Sequence, residues 1–339
     1  MAREVAGRPP FGILDTPVGA IERDAFELQT PLGGRAGWWR RRFGFKHFQY
    51  MGAVSDELFV GCAIADTGLL VNVFAYLFDP RDRRMEKRGW EALLGRGFRY
   101  NPDPDAGESR FESKHGRVSM SARREEGGSV QTKRLEVETA AGLSIELEFD
   151  DAPPFEPMRI CTQTGATGWT YAQKVAGVPA RGRVRGGLGT FDLAELGAFA
   201  HHDFTAGYLR PETYWHWACL SGRLPTGESL GLNLSSGVNE TGVTENCLWL
   251  DGRLAKVEGV LFDFDEDDLD LSWEITSHDG SVSLRFEPLG AYRVERNAWI
   301  TATRFAQLFG RFEGFVRIEG QEHRIDGMHG FAERQYLRW

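Results

Sequence analysis

The sequence predicts an all-β protein made of two antiparallel β-barrel or sandwich domains with very little helix. Short segments in which apolar and polar residues alternate recur along the whole chain. Gly accounts for 41 of 339 residues, about 12% against a usual value of roughly 7%, which indicates many turns. Asp-Gly pairs at 251–252 and 279–280 separate such segments and favour tight hairpins. Regular short strands joined by tight turns are typical of barrels and sandwiches.

The first half of the chain is predicted to contain an arm and one β-domain. Residues 1–20 are rich in Pro and show no periodicity, which predicts an N-terminal arm, and residues 21–155 form the first domain. A helix at 90–94 is limited to about one turn by the Gly residues on both sides. Gly127-Gly128 predicts a hairpin turn. The predicted strands are 42–51, 58–64, 69–78, 112–123, 135–139 and 143–149.

The second half is predicted to form a second β-domain, residues 156–339, that carries the functional site. The segment 150–157 contains Pro153, Pro154 and Pro157, and Pro cannot donate a hydrogen bond to a central strand, so it indicates a domain connection near residue 155. A boundary near Pro179 is the alternative. A short helix capped by Asp192 is predicted at 193–199. The predicted strands are 169–175, 214–221, 229–234, 246–250, 254–264, 271–275, 282–286 and 312–318.

Composition and missing motifs exclude several classes of function. The net charge of −9 disfavours nucleic-acid binding, and the run Arg40-Arg41-Arg42 is typical of a solvated face. Four scattered Cys residues form no CxxC pair, so we expect reduced, buried thiols. No signal peptide or apolar span is present, which predicts a cytoplasmic protein without a membrane span. The acidic run 263–270 lacks the Gly that an EF-hand turn needs.

The sequence also lacks a P-loop, a GxSxG elbow, an HExxH helix and a strand-GxGxxG-helix unit. We therefore expect no metal and no other cofactor. The oligomeric state is left open by the sequence.

Residues 199–252 are the part of the chain that is richest in reactive side chains. His201-His202-Asp203 comes just before a predicted strand, and a His beside a carboxylate can act as a general acid or base. Because neighbouring strand residues point to opposite faces, only one of the two His side chains can face a given pocket. A structural His bonded to the backbone is the alternative.

Two Trp residues are predicted to form the wall of a pocket. Strand alternation puts Trp215 and Trp217 on one face and His216 on the other. Such a face is either a core slab or a ligand wall. Tyr208 and Arg210, just upstream, could orient a ligand or hold the loop in position.

Amides and carboxylates are predicted to lie at the rim of this pocket. Gly237 and Gly242 let the loop backbone approach a ligand closely, and a Glu pair there can serve as acid and base, or the same groups can cap the loop. Glu333, near the C-terminus, joins the site from the other side or forms a structural salt bridge. The rim candidates are Asn233, Asn239, Glu240, Glu245 and Asn246.

These residues resemble an uncharacterised bacterial family, the domain of unknown function DUF2804. The resemblance covers most of the chain, and it implies little about activity. More distantly, the all-β chain is similar to the double lipocalin-like proteins that include carotenoid hydratases and cyclases, which implies two lipocalin-like barrels. The family resemblance rests on His202-Asp203, Gly207-Tyr208, Arg210, Thr213, Trp215, Trp217-Ala218, Gly231-Leu232-Asn233-Leu234, Asn239-Glu240, Glu245-Asn246, Trp249, Gln307, Phe309-Gly310, Gly314, Phe331 and Glu333.

The sequence supports three hypotheses of function. In the first, an aromatic-lined barrel pocket binds an apolar or amphipathic small molecule, with acid/base chemistry of the hydration, isomerisation or cyclisation kind. His202 or Asp203 would then handle one proton, and Glu240 or Glu245 would be the second acid/base group. In the second, a carbohydrate-active sandwich uses the Glu pair. In the third, the protein binds or interacts without catalysis.

Overall fold

A computed structural model describes residues 6–124, 131–239, 241–298 and 301–339. Within these ranges the only helical segments are a 3-10 turn at Arg23–Ala25 and the short helix α1 at Trp38–Phe43. The all-β prediction is confirmed. The strands are β1 (Gly12–Ile13), β2 (Phe45–Val54), β3 (Phe59–Asp66), β4 (Leu70–Asp79), β5 (Arg84–Leu93), β6 (Phe98–Arg99), β7 (Gly107–Ser113), β8 (Gly116–Arg124), β9 (Gln131–Thr139), β10 (Ser144–Asp150), β11 (Met158–Thr164), β12 (Gly168–Pro179), β13 (Arg183–Gly186), β14 (Gly189–Asp192), β15 (Phe199–Tyr208), β16 (Glu212–Arg223), β17 (Ser229–Ser236), β18 (Cys247–Leu250), β19 (Arg253–Lys256), β20 (Val260–Asp263), β21 (Trp273–Ser277), β22 (Val282–Ala298), β23 (Thr301–Ile318) and β24 (Gln321–Arg338).

The strands form three antiparallel sheets. Sheet A has the order β1-β11-β12-β15-β2-β3-β4-β5, and sheet B has the order β14-β13-β10-β9-β8-β7-β6. Sheet C has the order β19-β18-β17-β16-β24-β23-β22-β21-β20. Sheets A and B share one apolar core, whereas sheet C also curves around a second core that includes Leu232, Trp273 and Phe312. The three sheets therefore enclose two apolar cores.

The strands on either side of residue 155 share sheets. Three strands of sheet A follow this position in sequence. β11 pairs with β12, β12 pairs with β15, and β15 pairs with β2, which precedes residue 155. β13 likewise pairs with β10 in sheet B. The chain passes to sheet C only between Tyr208 and Glu212. The predicted connection near residue 155 therefore lies within the part of the chain that forms sheets A and B.

Two glycines allow the backbones of sheets A and C to approach each other. Gly177 lies at the bulge of β12, with a φ of +80°, and a Cβ there would lie 2.6 Å from the backbone nitrogen of Gly231 in β17. A Cβ at Gly231 would overlap the carbonyl of Ala176. The close approach therefore requires Gly on both strands.

Two local predictions of helix are wrong. Residues 90–94 belong mostly to β5, where Trp90 pairs with Val73 of β4 and packs against Phe111. Residues 193–197 form a turn, in which the Asp192 carboxylate accepts hydrogen bonds from the N–H groups of Ala194 and Glu195 at 3.0 and 3.2 Å. The Asp192 side chain thus accepts hydrogen bonds from the start of this turn, as predicted for a cap. No helix follows, because β15 starts at Phe199.

Hairpin predictions had mixed outcomes. The Asp251-Gly252 turn between β18 and β19 is confirmed, with φ values of 49° and 80°, which suit a two-residue hairpin. Residues 112–123 form parts of two strands, because the chain turns between Ser113 and Gly116. The turn predicted at Gly127-Gly128 lies outside the described residues.

Candidate functional site

A cavity of about 540 Å³ lies between sheets A and C. Most of its wall is apolar, and a group of polar side chains lies at the junction of β12, β15, β16 and β24. The aromatic residues of the wall are Phe48, Tyr50, Phe74, Trp90, Trp215, Trp217, Tyr292 and Phe305.

A buried lysine between two carboxylates forms the charged part of the site. Lys174 of β12 lies 2.9 Å from Asp203 of β15 and 3.2 Å from Glu245. Burial disfavours the charged ammonium, but the two carboxylates outweigh this effect and raise the pKa of Lys174 above its ordinary value. One cation between two anions leaves the group with a net charge of −1 when all three are ionised. The ammonium also lies 4.7 Å from the centre of the Trp217 ring.

Glu245 is fixed by hydrogen bonds from the loop that precedes β18. The Asn239 amide donates to one of its carboxylate oxygens at 2.5 Å, and the Thr162 hydroxyl donates to Asn239 at 2.7 Å. Asn233 donates to the Glu245 backbone carbonyl at 3.1 Å and accepts a hydrogen bond from the Trp217 indole at 2.7 Å. The amides thus hold both the carboxylate and the Trp wall.

Glu333 of β24 is a carboxylic acid at the cavity wall. It accepts hydrogen bonds from the Trp215 indole at 2.7 Å and from the Gln307 amide at 3.3 Å. Burial, together with the nearby charge of Asp203, raises its pKa to about 8, although Trp215 and Lys174 oppose the shift. Glu333 therefore carries a proton at neutral pH and can act as a proton donor.

A hydroxyl pair lies behind another part of the wall. The Tyr50 hydroxyl, from β2, lies 2.7 Å from the Tyr76 hydroxyl and 3.1 Å from Nε2 of His201. Burial lowers the pKa of His201 to about 3, so its ring is neutral. Tyr50 therefore lines the cavity while its hydroxyl contacts Tyr76 and the neutral His201 ring behind the wall.

The structure brings six of the sequence-predicted site residues together at the cavity, and all six lie in the second half of the chain. Because Asp203 belongs to sheet A, the site is shared between sheets A and C. Glu240 lies outside the described residues. The six residues are Asp203, Trp215, Trp217, Asn239, Glu245 and Glu333.

His202 does not reach the cavity. The pair His201-His202 lies within β15, not before it, and His202 points to the face opposite Asp203. Its Nδ1 lies 3.2 Å from the buried ammonium of Lys133, and burial with this neighbouring charge holds the pKa of His202 far below its ordinary value. The prediction that His202 serves the pocket is therefore wrong: Asp203 lines the cavity, and His202, as its neighbour in the strand, points to the opposite face.

Tyr208, Arg210 and Asn246 hold the framework together and do not line the cavity. The Tyr208 hydroxyl donates to the backbone carbonyls of Arg23 and Arg41. Arg210 donates to the carbonyl of Gly237. Asn246 accepts from the Ser235 N–H at 2.6 Å and donates to the Glu258 carbonyl at 2.9 Å. Asn233, described above, likewise acts through Trp217 and Glu245.

Sequence reasoning missed Lys174, Tyr50 and Gln307 as parts of the site. Lys174 had a usable signal, because it is the single charged residue in the apolar run 168–179. A charged side chain in a fully buried strand requires a partner. Tyr50 and Gln307 carry no comparable signal in sequence.

The fold and cavity define a double lipocalin-like protein. The chain belongs to the family described as Domain of unknown function (DUF2804), whose model matches residues 6–339. The resemblance inferred from the sequence is thus confirmed. No curated protein matches the sequence.

Solved structures support the same fold. Kievitone hydratase from Nectria haematococca is similar over 85% of this chain and 88% of its own, with 8% identity and a TM-score of 0.52. CghA, solved with Sch210972, is similar over 98% of this chain and 96% of its own, with 10% identity and a TM-score of 0.52. In the described parts of the chain, no helix has the length and apolar character needed to cross a bilayer.

Proposed function

We propose that the cavity between sheets A and C binds an uncharged apolar or amphipathic small molecule and transfers a proton to it. The observation that carries the proposal is Glu333, a carboxyl group that burial keeps protonated at neutral pH in the wall of an apolar cavity. A neutral carboxylic acid in a water-poor site is a competent general acid.

The surrounding groups suit a reaction that passes through a cation. With both carboxyl groups ionised, Lys174, Asp203 and Glu245 have a net charge of −1, which would favour positive charge on the ligand. The faces of Trp215 and Tyr50 can add cation–π stabilisation. In a hydration, the Glu333 proton would add to one carbon of a C=C bond, water would add to the other, and the excess proton of that water would return to Glu333.

The neighbouring folds are consistent with this class of chemistry, since one of them is named a hydratase. The carbohydrate hypothesis gains no such support. Glu245 is engaged by Lys174 and Asn239, so this member of the predicted Glu pair is not free to act as a nucleophile.

Binding is tested first, with the neutral fluorescent probe N-phenyl-1-naphthylamine. We expect saturable binding to the wild type and at least roughly tenfold weaker binding to Ala65→Phe, which fills part of the cavity. Ala140→Phe, at an exposed turn, is the matched control and should bind like the wild type. Equal affinity in all three proteins would refute the cavity as the binding site.

Proton transfer is tested on ligands identified by native mass spectrometry of the purified protein. Glu333→Gln should retain the ligand but fail to convert it, with a loss of roughly 100-fold or more in rate. Trp217→Ala should lose the ligand itself. Unchanged turnover in Glu333→Gln would reject Glu333 as the acid, and retention without turnover in the wild type would favour a non-catalytic binding protein.

A further inference from the structure

An exposed aromatic cluster lies on helix α1. Trp38 is 63% exposed and Trp39 is 61% exposed, although large aromatic side chains are usually buried on average. Their ring centres lie 6.2 Å apart, and the Trp39 and Phe43 rings are 4.5 Å apart. Leu32, in the turn that precedes the helix, is 99% exposed. These residues form a defined apolar surface that faces solvent.

Positive charge lies directly beside this surface. The last turn of α1 contains Arg40, Arg41 and Arg42, and its first turn contains no acidic residue. The two acidic residues of the preceding segment that form ion pairs, Asp24 and Glu27, are engaged by other arginines, Arg23 and Arg35. The local charge is therefore opposite in sign to the net charge of −9 of the whole chain.

Arg40 and Arg42 are available to a partner, whereas Arg41 helps to hold the helix. The Arg41 Nε donates to the Ala36 carbonyl at 3.0 Å. Arg42 lies over the Phe43 ring at 5.0 Å, which keeps its guanidinium next to the aromatic cluster. No ion pair joins Arg40 or Arg42 to a carboxylate among the described residues, although the charge of Arg42 acts at longer range on the buried Asp66 carboxyl. We call Leu32, Trp38, Trp39, Arg40 and Arg42 the Trp–Arg patch.

This patch adjoins the cavity. The Lys46 ammonium donates to the carbonyl of Phe43, at the end of α1, at 2.9 Å, and to the carbonyl of Thr67 at 2.5 Å. Thr67 lines the cavity. Lys46 therefore ties the helix directly to one edge of the cavity.

We infer that the Trp–Arg patch docks on an anionic phospholipid surface. Indole rings partition to the interface of a bilayer, and guanidinium groups beside them pair with anionic headgroups. A fully exposed Leu fits the acyl region of a bilayer better than a nucleic acid, and the acidic chain as a whole disfavours nucleic acid. Docking would bring the cavity edge next to lipid, a source of apolar ligands. Only this last consequence rests on the proposed function.

Vesicle co-sedimentation of the full chain tests the inference. Vesicles of phosphatidylcholine alone are compared with an equimolar mixture of phosphatidylcholine and phosphatidylglycerol. We expect binding to the anionic vesicles that falls as salt is raised. Arg40→Gln/Arg42→Gln should weaken the partition roughly 30-fold, and Trp38→Ser/Trp39→Ser should weaken it at least roughly tenfold.

Matched variants separate the patch from general charge and exposure. Arg183→Gln/Arg185→Gln removes the same charge from exposed positions of β13, and Leu261→Ala/Leu271→Ala removes exposed apolar side chains elsewhere. Both should bind vesicles like the wild type. All variants should unfold in urea with the wild-type free energy of unfolding, which shows that they are folded and keeps this test independent of ligand binding in the cavity.

Three results would overturn the inference. The first is equal binding of the wild type to anionic and neutral vesicles. The second is equal loss of binding in the two arginine double variants, because the effect would then be one of net charge. The third is tighter binding of the patch to single-stranded DNA than to anionic vesicles, which would make the patch a nucleic-acid surface.

Discussion

Glu333→Gln is expected to become more stable than the wild type as the pH rises. Burial raises the pKa of Glu333 from 4.5 to about 8 in the folded protein. Between these values the folded wild type holds the proton and the unfolded chain does not, so unfolding releases a proton and becomes easier as the pH increases. A Gln side chain has no proton to lose, and the variant lacks this destabilisation.

The size of the effect follows from the pKa shift. Each pH unit changes the free energy of unfolding by about 1.4 kcal/mol, so a shift from 4.5 to about 8 gives an upper limit of about 5 kcal/mol. Partial entry of water would reduce this limit. At low pH, where both proteins are neutral at this position, we expect the two stabilities to agree within about 1 kcal/mol.

The hydrogen bonds around Glu333 explain why Gln is tolerated. The Trp215 indole requires an acceptor at 2.7 Å, and the carbonyl of a Gln can supply it. Gln307 Oε1 is buried and has no hydrogen-bond partner among the described residues. If the Gln307 side-chain amide is rotated by about 180°, this oxygen can accept a hydrogen bond from protonated Glu333. In the variant Glu333→Gln it can accept one from the amide group of the introduced Gln.

Urea unfolding across a pH series measures the effect. The free energy of unfolding is determined from about pH 5 to pH 9 for the wild type, Glu333→Gln and the exposed control Glu146→Gln. The difference between Glu333→Gln and the wild type should rise up to about pH 8 and then level off, while the control shows no rise. A flat difference for Glu333→Gln would refute the conclusion that Glu333 is protonated at neutral pH.

Three further substitutions test the framework of the site by urea unfolding. Lys174→Met should cost about 3–5 kcal/mol at neutral pH, because it leaves two buried carboxylates without their cation; a loss below about 1 kcal/mol would contradict the buried triad. Gly231→Ala should cost more than about 2 kcal/mol, because a Cβ there overlaps the Ala176 carbonyl, and wild-type stability would contradict the close approach of the sheets. Tyr208→Phe should lower the free energy of unfolding by about 1 kcal/mol, because the hydrogen bonds of the hydroxyl are lost, and should leave ligand binding in the cavity unchanged. Weaker binding would show that Tyr208 contributes to the site.

The fold class was predictable because strand signals are local. Period-two alternation and an Asp-Gly turn each depend on a few neighbouring residues, and they located the turn at Asp251-Gly252 correctly. The pairing of β15 with β2 was not predictable, because it joins residues more than a hundred positions apart. Short segments such as 90–94 were misassigned because tertiary pairing overrides a weak local preference.

The site residues that could be predicted are mainly those that lie close together in the sequence, in the segment 199–252 with its many reactive side chains. Alternation correctly grouped Trp215 with Trp217, and it allowed only one His of the pair 201–202 to face a given side. It could not say which face of β15 meets sheet C, so both His202 and Asp203 were predicted as site residues, and the buried partner of Asp203 was not predicted. That partner is Lys174, which lies on the neighbouring strand.

Charge balance indicates that the site exists only when sheets A and C are packed together. Lys174 and Asp203 belong to sheet A, whereas Glu245 and Glu333 belong to the part of the chain around sheet C. Without sheet A, Glu245 would lose its cation. Without sheet C, Lys174 would keep one carboxylate but lose the Trp217 face that covers it. Because an unpaired buried charge is costly, the same contacts that hold sheets A and C together also assemble the proton donor, the charged group and the aromatic wall.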